Sequence, residues 1–282
     1  MRKNGRREQM AYRYALFDLY GTLIDIHTDE DDPSLWQDFY QWLSQELSRQ
    51  QEAKPRISSA HDLEQAFHQE EDKEKASHLS KEARGVEDWE IEIDLEPVYR
   101  RLLSRFGFSD DLLSVPVRDG DLIARAAAYF RQRSRNKFAI FPKAHEFLSR
   151  LRADGVMTVL ASNAQLLFTR QELAPLVDGF DRIFISSQVG YKKPSARFYR
   201  HILENAASGE DGDSLDSGEG VMIGNEVACD ILGARGVGLD GILLRTGTAP
   251  WPSEGPDSAK ATLSLQGADY PAAYQFITGH RW

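Results

Sequence analysis

Short apolar runs alternate with longer segments of helical spacing through the second half of the chain. Apolar runs occupy residues 157–161, 182–186, 220–223 and 241–245, and a similar run at residues 14–18 ends in Asp18. Nearly continuous apolar strands separated by helices are typical of a parallel sheet that is covered on both faces. The pattern therefore predicts an α/β fold built on a parallel sheet.

The pattern changes between the first apolar run and the others. Residues 97–106 and 121–133 have the spacing of helices, and segment 61–85 is polar almost all round, which fits either an exposed helix or a connection. This block contains no convincing strand. We therefore predict a core of residues 11–26 and 141–282 with a helical insertion of residues 27–140. One apolar stripe at helical spacing consists of Leu35, Trp36, Phe39, Tyr40 and Leu43.

Charge and composition restrict the partners. The chain has 282 residues with a formal net charge of -10, which disfavours binding to nucleic acids or to anionic membranes. Its single cysteine, Cys229, excludes an intrachain disulfide and is compatible with a reducing compartment. The first 13 residues are basic and polar, unlike a secretory signal, and no apolar stretch is long enough for a membrane helix. We expect a cytoplasmic protein.

Four polar residues follow predicted strands, namely Asp18, Ser162, Lys193 and Asp230. In an open parallel sheet, ligands bind beyond the carboxyl ends of the strands, so these residues are candidates for one active site. Each has an ordinary structural explanation when taken alone. An Asp before Gly is often a turn residue, Ser162 fits a helix cap, and Lys193 fits a surface charge. The active-site hypothesis depends on the four occurring together.

The chain resembles the haloacid dehalogenase-like (HAD) hydrolases. The family has four motifs, and each appears here in order after an apolar run. This resemblance implies a Rossmann-like core with an inserted helical cap and a hydrolytic activity. The matching segments are Asp18-Leu19-Tyr20-Gly21-Thr22, Ser162-Asn163, Lys193-Pro194, and Gly224-Asn225-Glu226 continuing to Asp230.

The resemblance also implies roles for these residues. Asp18 would be the nucleophile that forms a covalent intermediate, and Lys193 would neutralise charge beside it. Thr22, Ser162 and Asn163 would bind the transferred group. Mg²⁺, which prefers oxygen ligands, would be the cofactor. Its ligands would come from Asp18, the Tyr20 backbone carbonyl and Asp230, and either Asn225 or Glu226 would complete the set through a side-chain oxygen or a bound water.

Tyr20 departs from the pattern of the family's phosphatases, which usually have a second aspartate at this position as general acid and base. A tyrosine here is similar to the dehalogenase branch. Tyr199 also fits that branch, and it equally fits an aromatic packed in the core of a phosphatase. Those dehalogenases work without metal, whereas Glu226 and Asp230 keep two carboxylates where Mg²⁺ would bind. We therefore favour a Mg²⁺-dependent hydrolase of a small phosphate ester or acyl phosphate.

Two alternatives stay open at this stage. The first is a metal-independent 2-haloacid dehalogenase that uses Asp18 as nucleophile. The second is a HAD-fold protein that binds a ligand or partner with little turnover, because Tyr20 has replaced the acid-base group. The sequence of the predicted cap identifies no substrate, and the oligomeric state is equally open.

Overall fold

The structure, a computed structural model, describes residues 12–50, 54–81, 85–114, 120–207, 214–247 and 260–282. The strands are β1 (Tyr14–Phe17), β2 (Ile24–Thr28), β3 (Arg135–Ile140), β4 (Met157–Ser162), β5 (Arg182–Ile185), β6 (Gly220–Gly224), β7 (Asp240–Arg245) and β8 (Leu263–Gln266). The helices are α1 (Leu35–Arg49), α2 (Ala60–Lys81), α3 (Leu95–Phe106), α4 (Asp110–Leu113), α5 (Leu122–Ser134), α6 (Ala144–Ala153), α7 (Leu166–Leu173), α8 (Ser186–Val189), α9 (Ala196–Asn205), α10 (Gly233–Arg235) and α11 (Tyr270–Thr278). None of these helices is both long and apolar enough to cross a membrane.

Six strands form one parallel sheet in the order β5-β4-β1-β6-β7-β8. The first strand of the chain lies inside the sheet, where Phe17 is in register with Leu160 on β4 and with Ile223 on β6. All four residues of β1 are buried, as expected for a strand covered on both faces. The predicted α/β fold is confirmed. Because the strands are parallel, the segments that follow β1, β4 and β6 emerge at the same edge of the sheet.

Successive side chains of β1 point to opposite faces of the sheet. Tyr14 and Leu16 belong to a buried cluster with Phe198 and Tyr199 of α9. Phe17 instead makes an edge-to-face contact with Phe147 of α6, with ring centroids 5.7 Å apart. Helices on both faces therefore fix the strand that precedes Asp18.

The chain divides into two compact units. The first contains the six-stranded sheet and comprises residues 12–26, 138–164 and 173–282, within the described ranges. The second comprises residues 27–137 and 165–172 and is mainly helical. Segment 165–172, expected in the core, belongs to this second unit because Leu167 and Phe168 pack against its apolar cluster.

The helical unit has a continuous apolar core. It includes the stripe residues Leu35, Phe39 and Leu43 of α1, together with residues of α2, α3 and α5. Segment 61–85, for which the sequence left two possibilities, is helical over most of its length as part of α2. One carboxylate of α2, Glu70, is buried and receives hydrogen bonds from Arg101 and Arg105 of α3. The polar residues of α2 therefore include a buried carboxylate that is paired with two partly exposed arginines.

The prediction that residues 27–140 contain no strand is wrong. Arg135–Ile140 forms β3, which pairs with β2 in a separate two-stranded sheet. Its residues are mostly exposed, so the sequence has no alternation of apolar and polar positions to mark it. This segment is a strand because its backbone pairs with β2. It does not form a strand by burying one of its faces.

Candidate active site

The turn after β1 brings Asp18 and Thr22 together. The amide of Asp18 still donates to the carbonyl of Ile223 on β6, at 2.9 Å, so Asp18 continues the sheet geometry by one residue. The chain then reverses through Gly21, which has a positive φ of 79° that disfavours residues with a Cβ. As a result the Thr22 hydroxyl lies 3.3 Å from Asp18 Oδ2, and both side chains are buried.

Lys193 joins two carboxylates. Its ammonium donates to Asp18 Oδ1 at 2.8 Å and to Asp230 Oδ1 at 2.7 Å. The side chain of Asn163 holds the Lys193 backbone from both sides, because its Oδ1 accepts from the Lys193 amide at 2.8 Å and its Nδ2 donates to the Lys193 carbonyl at 2.9 Å. Asn163, predicted to bind substrate, therefore contacts the residue that carries the ammonium.

Asp230 lies on a π-helical turn, Val227–Leu232, that follows β6. Its Oδ2 accepts a hydrogen bond from the Glu226 amide at 2.9 Å. A Cβ on Gly224 would lie 2.1 Å from Asp230 Oδ2, so the carboxylate occupies space that only glycine leaves free. This packing explains why a glycine ends β6, and it directs Asp230 toward Lys193.

Asn225 brings an amide oxygen to the same group. The Thr22 hydroxyl lies 3.2 Å from Asn225 Oδ1 and 3.3 Å from Asp18 Oδ2. A hydroxyl has one proton, so it donates to only one of these oxygens at a time and leaves the other free to accept a donor or a cation. The structure thus brings together oxygen atoms that can bind a cation, and these come from the ends of two neighbouring strands, β1 and β6.

The predicted metal ligands are unequal in placement. Asp18, Asn225 and Asp230 are buried, whereas Tyr20 and Glu226 are partly exposed. Among the described residues, no group of three or more His, Cys, Asp or Glu side chains is arranged to hold a metal ion. The potential donors at this site are instead two carboxylates and an amide oxygen, a set of hard oxygen ligands that suits Mg²⁺.

Ser162 contributes a hydroxyl without a partner. It ends β4, next to β1 in the sheet, and its Oγ is buried and receives or donates no hydrogen bond within the described part of the chain. Buried polar groups are nearly always satisfied, so such an atom at the edge where ligands bind points to a bound group as its partner.

Burial and charge act together on the site. Burial raises the pKa of Asp18; the Lys193 ammonium lowers it and the Asp230 carboxylate raises it again. Burial disfavours the ammonium of Lys193, yet the two carboxylates beside it raise the pKa of Lys193 well above its ordinary value. Lys193 is therefore charged at neutral pH, and its single ammonium lies between the carboxyl groups of Asp18 and Asp230.

Two contributors were missed from the sequence, and a third was left with two explanations. Tyr199, which fits either the dehalogenase branch or core packing, is fully buried and donates its hydroxyl to the carbonyl of Cys229 at 2.7 Å. Thr246 donates to the carbonyl of Gly21, and Tyr270 donates to the carbonyl of Thr22. Neither Thr246 nor Tyr270 belongs to a motif, and a single sequence has no signal that links either residue to the turn.

A family model described as haloacid dehalogenase-like hydrolase matches residues 12–238. Among curated proteins, the chain is 31% identical over 165 residues to a phosphoserine phosphatase from Thermus thermophilus, covering 57% of this chain and 59% of the relative. It is 29% identical over 146 residues to a ribulose-1,5-bisphosphate 5-phosphatase from Halopiger xanaduensis, covering 51% of this chain and 55% of the relative. This chain therefore spans less than two thirds of the length of these relatives.

Solved structures share the fold over nearly the whole chain. A 2-haloacid dehalogenase from Pseudomonas syringae superimposes with a TM-score of 0.57 at 16% identity, covering 93% of this chain and 97% of the other. A HAD phosphatase from Thermococcus onnurineus gives a TM-score of 0.51 at 17% identity, covering 96% and 100%. At this level of identity the likeness concerns the fold alone.

Proposed function

The chain belongs to the haloacid dehalogenase-like hydrolases, and on this premise we propose that it is a Mg²⁺-dependent phosphohydrolase of a small phosphorylated metabolite. The observation that carries the proposal is the Lys193 ammonium held between Asp18 and Asp230, with the Asn225 oxygen joined to Asp18 through Thr22. The two curated relatives named above are both phosphatases, which favours phosphoryl transfer over halide displacement.

In this proposal, Asp18 is the nucleophile. A carboxylate oxygen of Asp18 attacks the phosphorus atom, and the bond between phosphorus and the leaving oxygen breaks. Water then attacks the phosphorus of the aspartyl phosphate, which releases phosphate and restores the carboxylate. The ammonium of Lys193 and the hydroxyls of Thr22 and Ser162 stabilise the charge that develops on the phosphoryl oxygens.

The donor set fits Mg²⁺. Asp18, Asp230 and Asn225 supply carboxylate and amide oxygens, and Lys193 offsets only part of the negative charge. A bound Mg²⁺ would supply electrostatic stabilisation of the transferring phosphoryl group. The Tyr20 carbonyl and a Glu226 oxygen complete the ligands that we propose.

The residue at position 20, close to Asp18, indicates which kind of leaving group the substrate has. Tyr20 stands where a general acid is usual, and a phenol with a pKa of about 10 donates a proton poorly near neutral pH. We therefore propose a substrate with a good leaving group, such as an acyl phosphate or an activated phosphate ester. We further propose that residues 27–140 act as the family's cap domain and that residues 11–26 and 141–282, apart from segment 165–172, form the catalytic core.

A second candidate is a metal-independent 2-haloacid dehalogenase. The observation that favours it is Tyr20 itself, because a leaving halide needs no proton. In that reaction, Asp18 attacks carbon, the carbon–halogen bond breaks, and water hydrolyses the resulting ester. The Asp230 carboxylate favours the first candidate, because together with Asp18 and Asn225 it offers the hard oxygen ligands that Mg²⁺ prefers.

One experiment separates the candidates. Phosphate release from para-nitrophenyl phosphate and acetyl phosphate, and halide release from 2-chloropropionate, are measured with Mg²⁺ and with EDTA. We expect phosphate release that EDTA abolishes and that is absent from Asp18→Asn, prepared in parallel as the control for contaminating phosphatases. Halide release that persists in EDTA would overturn the proposal in favour of the dehalogenase. The absence of both activities would favour a ligand-binding protein.

A further inference from the structure

Two side chains from the end of the chain donate hydrogen bonds to consecutive carbonyls of the Asp18 turn. Thr246 Oγ1, just after β7, lies 2.7 Å from the carbonyl oxygen of Gly21. The hydroxyl of Tyr270, at the start of α11, lies 2.7 Å from the carbonyl oxygen of Thr22. Both donors lie beyond residue 238, where the match to the family model ends. They therefore lie outside the segment that the family model matches.

We propose that Tyr270 and Thr246 are positioning residues that fix the turn presenting Asp18 and Thr22. This inference rests on the proposed function, because the turn matters for turnover only if Asp18 is the nucleophile. The two donors act on the peptide groups on either side of the Thr22 Cα, so together they hold the backbone angles of Thr22. Fixing these angles fixes the direction of the Thr22 Cα–Cβ bond, and with it the position from which the hydroxyl reaches its partners.

The direction of that hydroxyl has chemical consequences. It lies 3.3 Å from Asp18 Oδ2 and 3.2 Å from Asn225 Oδ1, so a small rotation of either peptide group changes which oxygen it can reach. Displacements of about 1 Å at a reacting group can reduce turnover about 100-fold. Losing a donor is therefore expected to lower kcat more than it changes substrate binding.

The surroundings of Tyr270 keep its hydroxyl protonated, so that it always donates a hydrogen bond. Its side chain is fully buried, and burial raises the pKa of its hydroxyl above the ordinary value, so the proton stays in place. Its ring stacks on Phe147 with centroids 4.9 Å apart, and Phe147 contacts Phe17 directly before Asp18. Tyr270→Phe keeps this ring stack and removes only the hydrogen bond to Thr22.

The same helix provides a matched control. Tyr274 lies one turn later on α11, and its hydroxyl donates to Asp154 at the end of α6. Tyr274→Phe therefore removes one hydroxyl and one hydrogen bond from the same helix without touching the turn. Thr246→Val and Thr246→Ser form a second pair, since Ser keeps the hydroxyl and Val does not.

The test measures kcat and KM for para-nitrophenyl phosphate together with hydrogen exchange of the peptide covering residues 17–24. We expect Tyr270→Phe and Thr246→Val to lower kcat about 10-fold to 100-fold with KM within about twofold, and to speed exchange in that peptide. Tyr274→Phe and Thr246→Ser should behave like the wild type. Equal losses in Tyr270→Phe and Tyr274→Phe, or wild-type kcat and exchange in Tyr270→Phe, would overturn the inference.

The exchange measurement also separates this inference from the proposed function. If the wild type released no phosphate, the proposed function would fail. Faster exchange of residues 17–24 in Tyr270→Phe but not in Tyr274→Phe would then still support the positioning of the turn by Tyr270. Unchanged exchange in both variants would overturn it.

Discussion

The ammonium of Lys193 donates a hydrogen bond to Asp18 Oδ1 at 2.8 Å, across a sequence separation of 175 residues. Both side chains are nearly inaccessible to solvent, so neither charge is hydrated as it would be at the surface. The contact keeps a carboxylate with a raised pKa in reach of a fixed positive charge. It makes Asp18 the first residue to test.

Asp18→Asn is expected to lower phosphate release by about 10³-fold or more, because an amide is a far weaker nucleophile than a carboxylate. Asn has nearly the same shape, and Lys193 keeps its contact with Asp230, so the fold should persist. Steady-state kinetics and far-UV circular dichroism check the two expectations. Turnover like that of the wild type would remove Asp18 from the mechanism.

Mg²⁺ is expected to raise the melting temperature of the wild type, because a ligand that binds only the folded state stabilises it by about 2.7 kcal/mol at 100 times its Kd. Asp230→Asn should lose this shift, since it removes one proposed ligand charge. Glu219→Gln, at a surface ion pair with Arg13, is the control and should keep the shift. Calorimetry that detects no Mg²⁺ binding to the wild type would contradict the metal assignment.

Tyr20→Asp is expected to reduce the difference in kcat/KM between substrates with good leaving groups and substrates with poor ones. General acid catalysis contributes about 10²–10⁴-fold, and its benefit is greatest for alkyl phosphates, whose leaving oxygen needs a proton. The ratio of kcat/KM for para-nitrophenyl phosphate to that for glycerol phosphate should therefore fall in the variant. An unchanged ratio would mean that Tyr20 does not set the leaving-group requirement.

Ser162→Ala is expected to lower kcat/KM about tenfold without lowering stability, because its buried hydroxyl has no hydrogen bond to lose within the described residues. Ser186 is the matched control: it is equally buried, and its hydroxyl accepts from the amide of Ala164 at 2.9 Å. Ser186→Ala should cost about 1–3 kcal/mol of the free energy of unfolding. Equal destabilisation in both variants would show that Ser162 has a structural partner.

Glu70→Gln is expected to lower the free energy of unfolding by about 2–3 kcal/mol at pH 7 and by little at pH 2. Burial disfavours the charge of Glu70, but hydrogen bonds from Lys73, Arg101 and Arg105 outweigh it and lower its pKa from 4.5 to about 2. A lowered carboxyl pKa stabilises the fold above pH 4.5, and this contribution is lost as the pH falls toward 2.

Urea denaturation at several pH values measures this difference. Glu96→Gln, at a more exposed pair with Arg100, is the control and should change stability by less than about 0.5 kcal/mol. A Glu70→Gln effect that is independent of pH would contradict the ion-pair explanation.

The centre of the sheet could be predicted because its inner strands, β4, β1, β6 and β7, are largely apolar on both faces. Buried runs such as β4 and β6 stand out in any sequence, and their parallel order places Asp18 and Ser162 at one edge. Strand β3 could not be predicted, since its exposed residues have no pattern and its pairing with β2 alone defines it.

The site was predictable only in part, for a similar reason. Residue types at strand ends indicate candidates for chemistry, and the structure brings Asp18, Lys193 and Asp230 into direct contact. Their roles stay predictions. The hold of Asn163 on the Lys193 backbone and the bond from Tyr270 to Thr22 depend on loop geometry, which no local pattern encodes.

The interior position of β1 also governs how the chain folds. Tyr14 pairs with Met157 on one side and with Gly220 on the other. Strand β1 therefore cannot pair until segments that are synthesised much later have left the ribosome. Contacts of such high sequence separation form slowly, and an apolar strand without neighbours is prone to aggregation. The strand that precedes Asp18 thus has no partner on the ribosome until β4 has emerged, and it lacks its second partner until β6 has emerged. Substitutions that delay its pairing should reduce the yield of folded protein before they alter the chemistry of the site.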